Sequence, residues 1–218
     1  VVTGSAEFGS TVTIAGGGSL TVQPGAVILF DSGRKIVASD GPLIMQGTAA
    51  NPVYLYPSNG ASAWAVESTG GAITGTYVRA VGGRIVAGSG SSVSFSDSAF
   101  SGNSDAAGII AANSATLLSL TRCIVSDYSK IGLTNTTASI RECVLRRMSS
   151  CGVEATGASS SLTISHTTVS NSTAAVVDGV RMLSGSSGAV TNCLIQGVSG
   201  AGIRVSSGSS RLIVSQNL

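Results

Sequence analysis

The sequence predicts an all-β fold, a right-handed parallel β-helix (solenoid) with coils of about 20–26 residues. Three observations predict it: an apolar motif that returns at that interval, a composition suited to strands and tight turns, and side-chain columns that make sense only if repeats stack. The motif is an apolar residue, two polar positions, a small Cys, Ser or Thr, a spacer and an apolar residue. It occurs as Ile73–Val78, Phe95–Phe100, Leu120–Val125, Ile140–Leu145, Ile164–Val169 and Val190–Ile195, and begins again at Val214. Each unit has a second half, a glycine followed by an aliphatic residue: Gly108-Ile109, Gly132-Leu133, Gly152-Val153, Gly179-Val180 and Gly202-Ile203. No stretch sustains the 3.6-residue apolar period of a helix. A unit this short buries no apolar side alone, whereas stacked copies share one core. Leucine-rich repeats would need several Leu at fixed spacing, and a propeller blade about 40 residues.

Composition agrees. Hydrophobic residues make up 43% of the 218, charged residues 10% and aromatic residues 4%, with 29 Gly and 4 Pro. Such a chain has enough aliphatic side chains to escape disorder. β-Branched residues suit strands, and Gly and Ser suit turns. A net charge of +2 gives no broad field for nucleic acid, and no apolar run approaches the roughly 18 residues of a membrane span. Neither a nucleic-acid partner nor a membrane span is expected. One domain over 1–218 is expected, with less regular coils in 1–60 and regular coils in 61–218. The chain starts without Met, and Leu218 falls inside a repeat, so a longer parent protein or a fibre is expected.

The less regular coils are a close series of strand and turn elements: Val12–Ile14, Leu20–Ile28, Lys35–Val37, Leu43–Thr48 and Asn51–Val53. The run Leu20-Thr-Val-Gln-Pro-Gly25, the turn Gly47-Thr-Ala-Ala-Asn-Pro-Val53 and the following Trp64 resemble the opening of bacterial right-handed β-helix repeat surface or secreted proteins. The later coils resemble the pectate-lyase-like repeat. Phe100-Ser-Gly-Asn103 and Gly70-Gly-Ala-Ile73 resemble pieces of polymorphic outer-membrane repeats. The resemblance implies the fold and an extracellular or cell-surface setting.

Aligned repeats give columns. The fourth motif position holds Thr76, Ser98, Cys123, Cys143, Thr167, Cys193 and Asn217, small residues suited to an inward place near a turn. There the cysteines pack as small hydrophobes, with a disulfide between neighbouring coils as the alternative. Cys151 lies in a different strand. The third position places Asp97, Arg122, Glu142 and His166 in a turn ladder of alternating charge, which controls register. The alternative reading is a carboxylate pair for acid–base chemistry. The fifth position gives Tyr77, Ala99, Ile124, Val144, Thr168 and Leu194, an outward stripe expected to mediate lateral association. The alternative is that this column belongs to the core.

The ten acids, among them Asp105 and Asp127, are spread along the coils, and His166 is the single histidine. Neither a carboxylate pair for glycoside hydrolysis nor a Ser-His-Asp triad emerges. Gly16–Gly18 has no following helix to form a phosphate loop. The Thr11-Val-Thr13 pattern of ice-binding ladders does not recur. The sequons at Asn135 and Asn171 matter only in a glycosylating host. Composition and spacing therefore predict no enzyme, no metal and no cofactor. They predict an extracellular or cell-surface structural module: a stalk, adhesin or filament subunit that self-associates end to end or laterally, or meets a carbohydrate or cell-surface partner. The alternative is a carbohydrate-binding or carbohydrate-cleaving β-helix, of the polysaccharide lyase, hydrolase or phage tail-spike type.

Overall fold

The computed structural model describes residues 1–58, 63–102, 110–115, 117–170, 177–206, 208 and 211–218. Expectations resting on Asn103, Asp105, Gly108-Ile109 and the Asn171 sequon lie outside the described residues. The strands of the described residues form three parallel sheets of nine strands each, and successive strands visit the three sheets in turn. The first sheet runs from Ser5–Phe8 and Val27–Phe30 through Val53–Pro57, Val78–Val81, Ala99–Ser101, Ile124–Ser126, Val144–Arg146 and Thr168–Ser170 to Leu194–Gln196. The described residues contain no helix.

Most of the strands alternate between interior and surface. In Ser92–Ser96, Val93 and Phe95 are buried while the serines between them are not. Because neighbouring strands are parallel and in register, like stacks on like at a spacing of about 4.8 Å. The third sheet thus carries an interior column Ile73–Val93–Leu118–Ala138–Leu162. Near its N-terminal end the core is aromatic. Phe30 and Trp64 stack with centroids 4.6 Å apart, and the indole N–H donates to Val81 O at 3.0 Å. The room is made by Gly83, where a Cβ would meet the Trp64 ring at 2.2 Å.

The turn leading into the first sheet explains the third and fourth columns. Tyr77, Asp97, Arg122, Glu142, His166, Asn192 and Gln216 all sit in the left-handed region, with φ between 48° and 56°. Such a conformation is unfavourable for non-glycine residues. Each coil offsets it by donating that residue's N–H to the next coil, as Asp97 does to Thr121 O at 3.0 Å and Glu142 to Ser165 O at 3.0 Å. One residue on, the side chains turn inward and accept from the coil before. Ser98 Oγ accepts from Val78 N–H at 2.9 Å, Thr167 Oγ1 from Cys143 N–H at 3.2 Å and Asn217 Oδ1 from Cys193 N–H at 2.9 Å.

Two registers differ from the motif alignment. The repeat anchored on Ile73 is out by two residues: Gly75, not Ile73, stands beside Phe95, and Arg79 beside Ala99. Gly75 fills an apolar place without being apolar. The Phe95 ring lies 2.5 Å from where its Cβ would be, so the next coil's aromatic occupies the room. Tyr77 therefore belongs to the left-handed turn column and not to the outward stripe, and Val78 takes the place assigned to Thr76. In the second sheet, Ile131 pairs with Val153, so Gly132-Leu133 stacks on Glu154-Ala155 and not on Gly152-Val153.

Candidate functional site

The outward face of the first sheet is built from short strands whose alternation turns every second side chain away from the core, with Ser126 itself covered. In Val53-Tyr-Leu-Tyr-Pro57, Val53 and Leu55 go inside, so Tyr54 and Tyr56 emerge on the same face, their rings 5.6 Å apart and tilted by 32°. Two outward columns run along the coil stack from there. One is Tyr54, Arg79, Ala99, Ile124, Val144, Thr168 and Leu194. Beside it runs Val81, Ser101, Ser126, Arg146, Ser170 and Gln196.

Ala99, Ser101 and Ser126, with the exposed Ile124 among them, make a floor between two ends. Tyr54, Tyr56 and Arg79 stand at one, and Arg146 and Arg147 at the other. Together they bound an open groove of about 400 Å³. Arg79 is braced from below, its NH1 donating to Asp97 O at 3.0 Å and Val78 O at 3.2 Å. Arg147 is held by Asp127 through two hydrogen bonds of 2.5 Å. Arg146 is exposed beside it. The lining residues include no carboxylate. Burial, with neighbouring Tyr54, raises the Tyr56 hydroxyl above the usual phenol range, and Arg79 opposes the rise.

The turn ladder forms one wall of this face. Arg122 grips Asp97 with two bonds of 2.7 Å, lies 4.0 Å from Glu142, and Arg141 meets Glu142 at 2.9 Å. The hydrogen bonds from Arg122 hold the Asp97 carboxyl below the usual range. His166 occupies the next place in the same column. Asp97 is committed to Arg122 and Glu142 to Arg141, and Arg122 stands between the two carboxylates of the ladder. Of the outward stripe, Ile124 and Leu194 are exposed and Val144 and Thr168 half-buried.

The second sheet carries a separate charge cluster. Asp178 is fully buried and accepts from Arg181 Nε at 2.6 Å, Arg204 Nε at 2.7 Å and NH2 at 3.1 Å, and Ala201 N–H at 2.7 Å. Glu154 bridges Arg181 to Lys130. Every Asp178 lone pair is used, so the cluster clamps the last coils. The four cysteines are free and buried. Burial pushes the Cys151 thiol up to about 12, and the hydrogen bond to Cys143, then burial, hold the Cys123 thiol higher still. Cys123 and Cys151 therefore stay protonated and pack as small apolar groups, whereas the hydrogen bond with Cys123 lowers the Cys143 thiol.

Sequence reasoning missed the groove. The Tyr-Leu-Tyr alternation was its legible signal, and Arg79 was hidden by the register slip at Gly75.

The family described as "right handed beta helix region" matches residues 9–177 and again 83–218, and the chain belongs to that family. The expected fold class and family resemblance are thereby met. No curated protein matches the sequence. Among solved structures, the chain is similar to an alginate lyase from Paenibacillus sp. str. FPU-7, with 9% identity, a TM-score of 0.28, and coverage of 94% of this chain and 99% of that one. On these findings the expectation that the chain is not an enzyme is corrected. Membership of the family fixes the fold and excludes no activity, and the scarcity of carboxylates on which that expectation rested argues only against hydrolysis by an acid pair. It has no bearing on chemistry done with tyrosine and arginine. At that TM-score the likeness carries nothing further, and alginate belongs to the other protein. No helix of the described residues is long and apolar enough to cross a membrane.

Proposed function

We propose that the chain is a carbohydrate-active β-helix protein that binds an anionic, uronate-containing polysaccharide in the groove of the first sheet and cleaves it by β-elimination. The observation that carries this reading is the lining itself: two tyrosines and three arginines around the floor of Ala99, Ser101, Ile124 and Ser126, with no carboxylate among them. Tyrosine faces stack on the apolar faces of sugars, and arginine forks match carboxylates. Hydrolysis needs two carboxyl groups astride the bond, and the lining supplies none. Elimination needs different groups. A cation beside the uronate carboxylate stabilises the charge that develops when the proton α to it is removed. A carbon–carbon double bond then forms, and the β-oxygen leaves with a proton.

Arg79 and Arg146 are assigned to the carboxylates, and the hydroxyls of Tyr54 and Tyr56 to the proton transfers. The raised Tyr56 keeps its proton at neutral pH, which suits it to protonate the leaving oxygen. Polymers of this kind lie outside cells, so an extracellular or cell-surface location is part of the reading.

The test is the ultraviolet absorbance of the unsaturated product when the protein meets pectate, alginate or another polyuronate. Turnover is expected on at least one, with Arg79→Ala losing on the order of 100-fold in kcat/KM, the scale of one lost charge-stabilising donor. Turnover that survives Arg79→Ala and the Tyr54→Phe/Tyr56→Phe pair would overturn the site assignment. No absorbance change on any polyuronate would overturn the elimination.

A further inference from the structure

Two of the buried thiols meet across neighbouring coils. Thr121 pairs with Arg141 and Ile124 with Val144, so Cys123 and Cys143, which lie between those pairs, stack directly. At the usual strand spacing of about 4.8 Å, their Cα atoms fall within the roughly 4.4–6.8 Å that a disulfide spans. Cys143 Sγ points back toward the preceding coil, where it accepts the Cys123 N–H at 3.4 Å and lies 3.6 Å from Leu120 O. The other two thiols have different neighbours. Cys193 stands between Thr167 and Asn217 in its column, and Cys151 pairs with Asp178 in the second sheet.

We infer that Cys123 and Cys143 are a redox pair, which a peroxide closes into a disulfide that staples the two coils. Cys143 is the nucleophile: the hydrogen bond from the Cys123 thiol lowers it, against burial, and the thiolate is the attacking form. Its sulfur attacks one peroxide oxygen and the O–O bond breaks. Hydroxide leaves and takes up the proton that Cys143 gave up, and Cys143 becomes a sulfenic acid. The Cys123 sulfur then displaces that oxygen, which departs as water with the Cys123 proton. The two thiols lose two electrons, and the peroxide becomes two waters. Both sulfurs are buried, but Arg141 and Glu142, just before Cys143, are exposed, so only this turn has to open for so small an oxidant. The bridge joins the turns that feed Ile124–Ser126 and Val144–Arg146. It therefore ties Ile124 and Ser126 of the groove floor to Arg146 at its cationic end. The inference does not rest on the polysaccharide reading, and its test uses no ligand.

The intact chain, treated with hydrogen peroxide in slight excess, denatured in an alkylating agent and mapped by peptide mass spectrometry, tests it. One disulfide joining Cys123 to Cys143 is expected, reversed by dithiothreitol, with Cys151 and Cys193 alkylated. Because the bridge joins residues 20 apart in the chain, the oxidised protein should melt about 5–10 °C higher than the reduced one. Both the bridge and the gain should be absent in Cys143→Ser, a change the column accommodates, since Ser98 fills the same place two coils earlier. Four alkylated thiols after oxidation, any other pairing, or a sulfinic acid at Cys143 in place of the bridge would overturn the redox pair. A bridge that leaves Tm unchanged would overturn the staple.

Discussion

Gly75 and Phe95 share one place in the interior, and that sharing shows how single residues set this fold. A Cβ on Gly75 would meet the Phe95 ring at 2.5 Å, and the ring is essentially fully buried. Gly75→Val is therefore expected to cost about 1–3 kcal/mol through overpacking, and Phe95→Ala about 3–5 kcal/mol through a cavity. Combined, the two should cost less than the sum, because the valine refills part of the space. Chemical denaturation of the four proteins measures this, and strict additivity would contradict the shared place. The same pair explains what the sequence concealed. An apolar anchor is read from side chains, and at Gly75 the apolar group belongs to the following coil, so the motif slid to Ile73 and carried Tyr77 into the wrong column. Positions filled by their own side chains, from Phe95 to Val190, were legible because each supplies its own part of the core.

At the scale of the coil, the Asp178 cluster ties three strands of the second sheet, Cys151–Thr156, Asp178–Leu183 and Ile203–Val205. Its hydrogen bonds to Arg204, then to Arg181 and the Ala201 N–H, hold the carboxyl well below its usual range against the opposing effect of burial. A carboxyl depressed on folding stabilises above its unfolded pKa of about 4, and that stabilisation is lost as pH falls toward the folded value. The last coils are expected to keep full protection at neutral pH and to open first on acidification, as read by amide hydrogen exchange over 178–205. Asp178→Ala should remove the pH dependence there and cost roughly 2–3 kcal/mol, since it orphans the Ala201 N–H and unpairs two arginines. Exchange that is equally pH-dependent in the variant would contradict the clamp. This cluster was not legible in the sequence: its partners lie 3, 23 and 26 residues from Asp178, and only coil stacking brings them together.

At the scale of the molecule, three sheets of equal strand number present long faces, and the first differs in carrying the groove. Its chemistry follows from alternation, which exposes Tyr54 and Tyr56, and from coil stacking, which sets Arg79 beside Tyr54 and Arg146 three strands further along. The fold class could be read from the repeat because stacking depends on the interval between apolar residues. The groove could not, because it depends on exact register, where a slip of two residues exchanges a tyrosine for an arginine. Recognition of a polymer by its carboxylates at this face is decided by equilibrium binding of one polyuronate and of the same polymer with its carboxyls reduced to alcohols. Binding of the first is expected to weaken with added salt and to be lost in Arg79→Ala/Arg146→Ala, with little binding of the second. Equal affinity for the charged and the reduced polymer would contradict it.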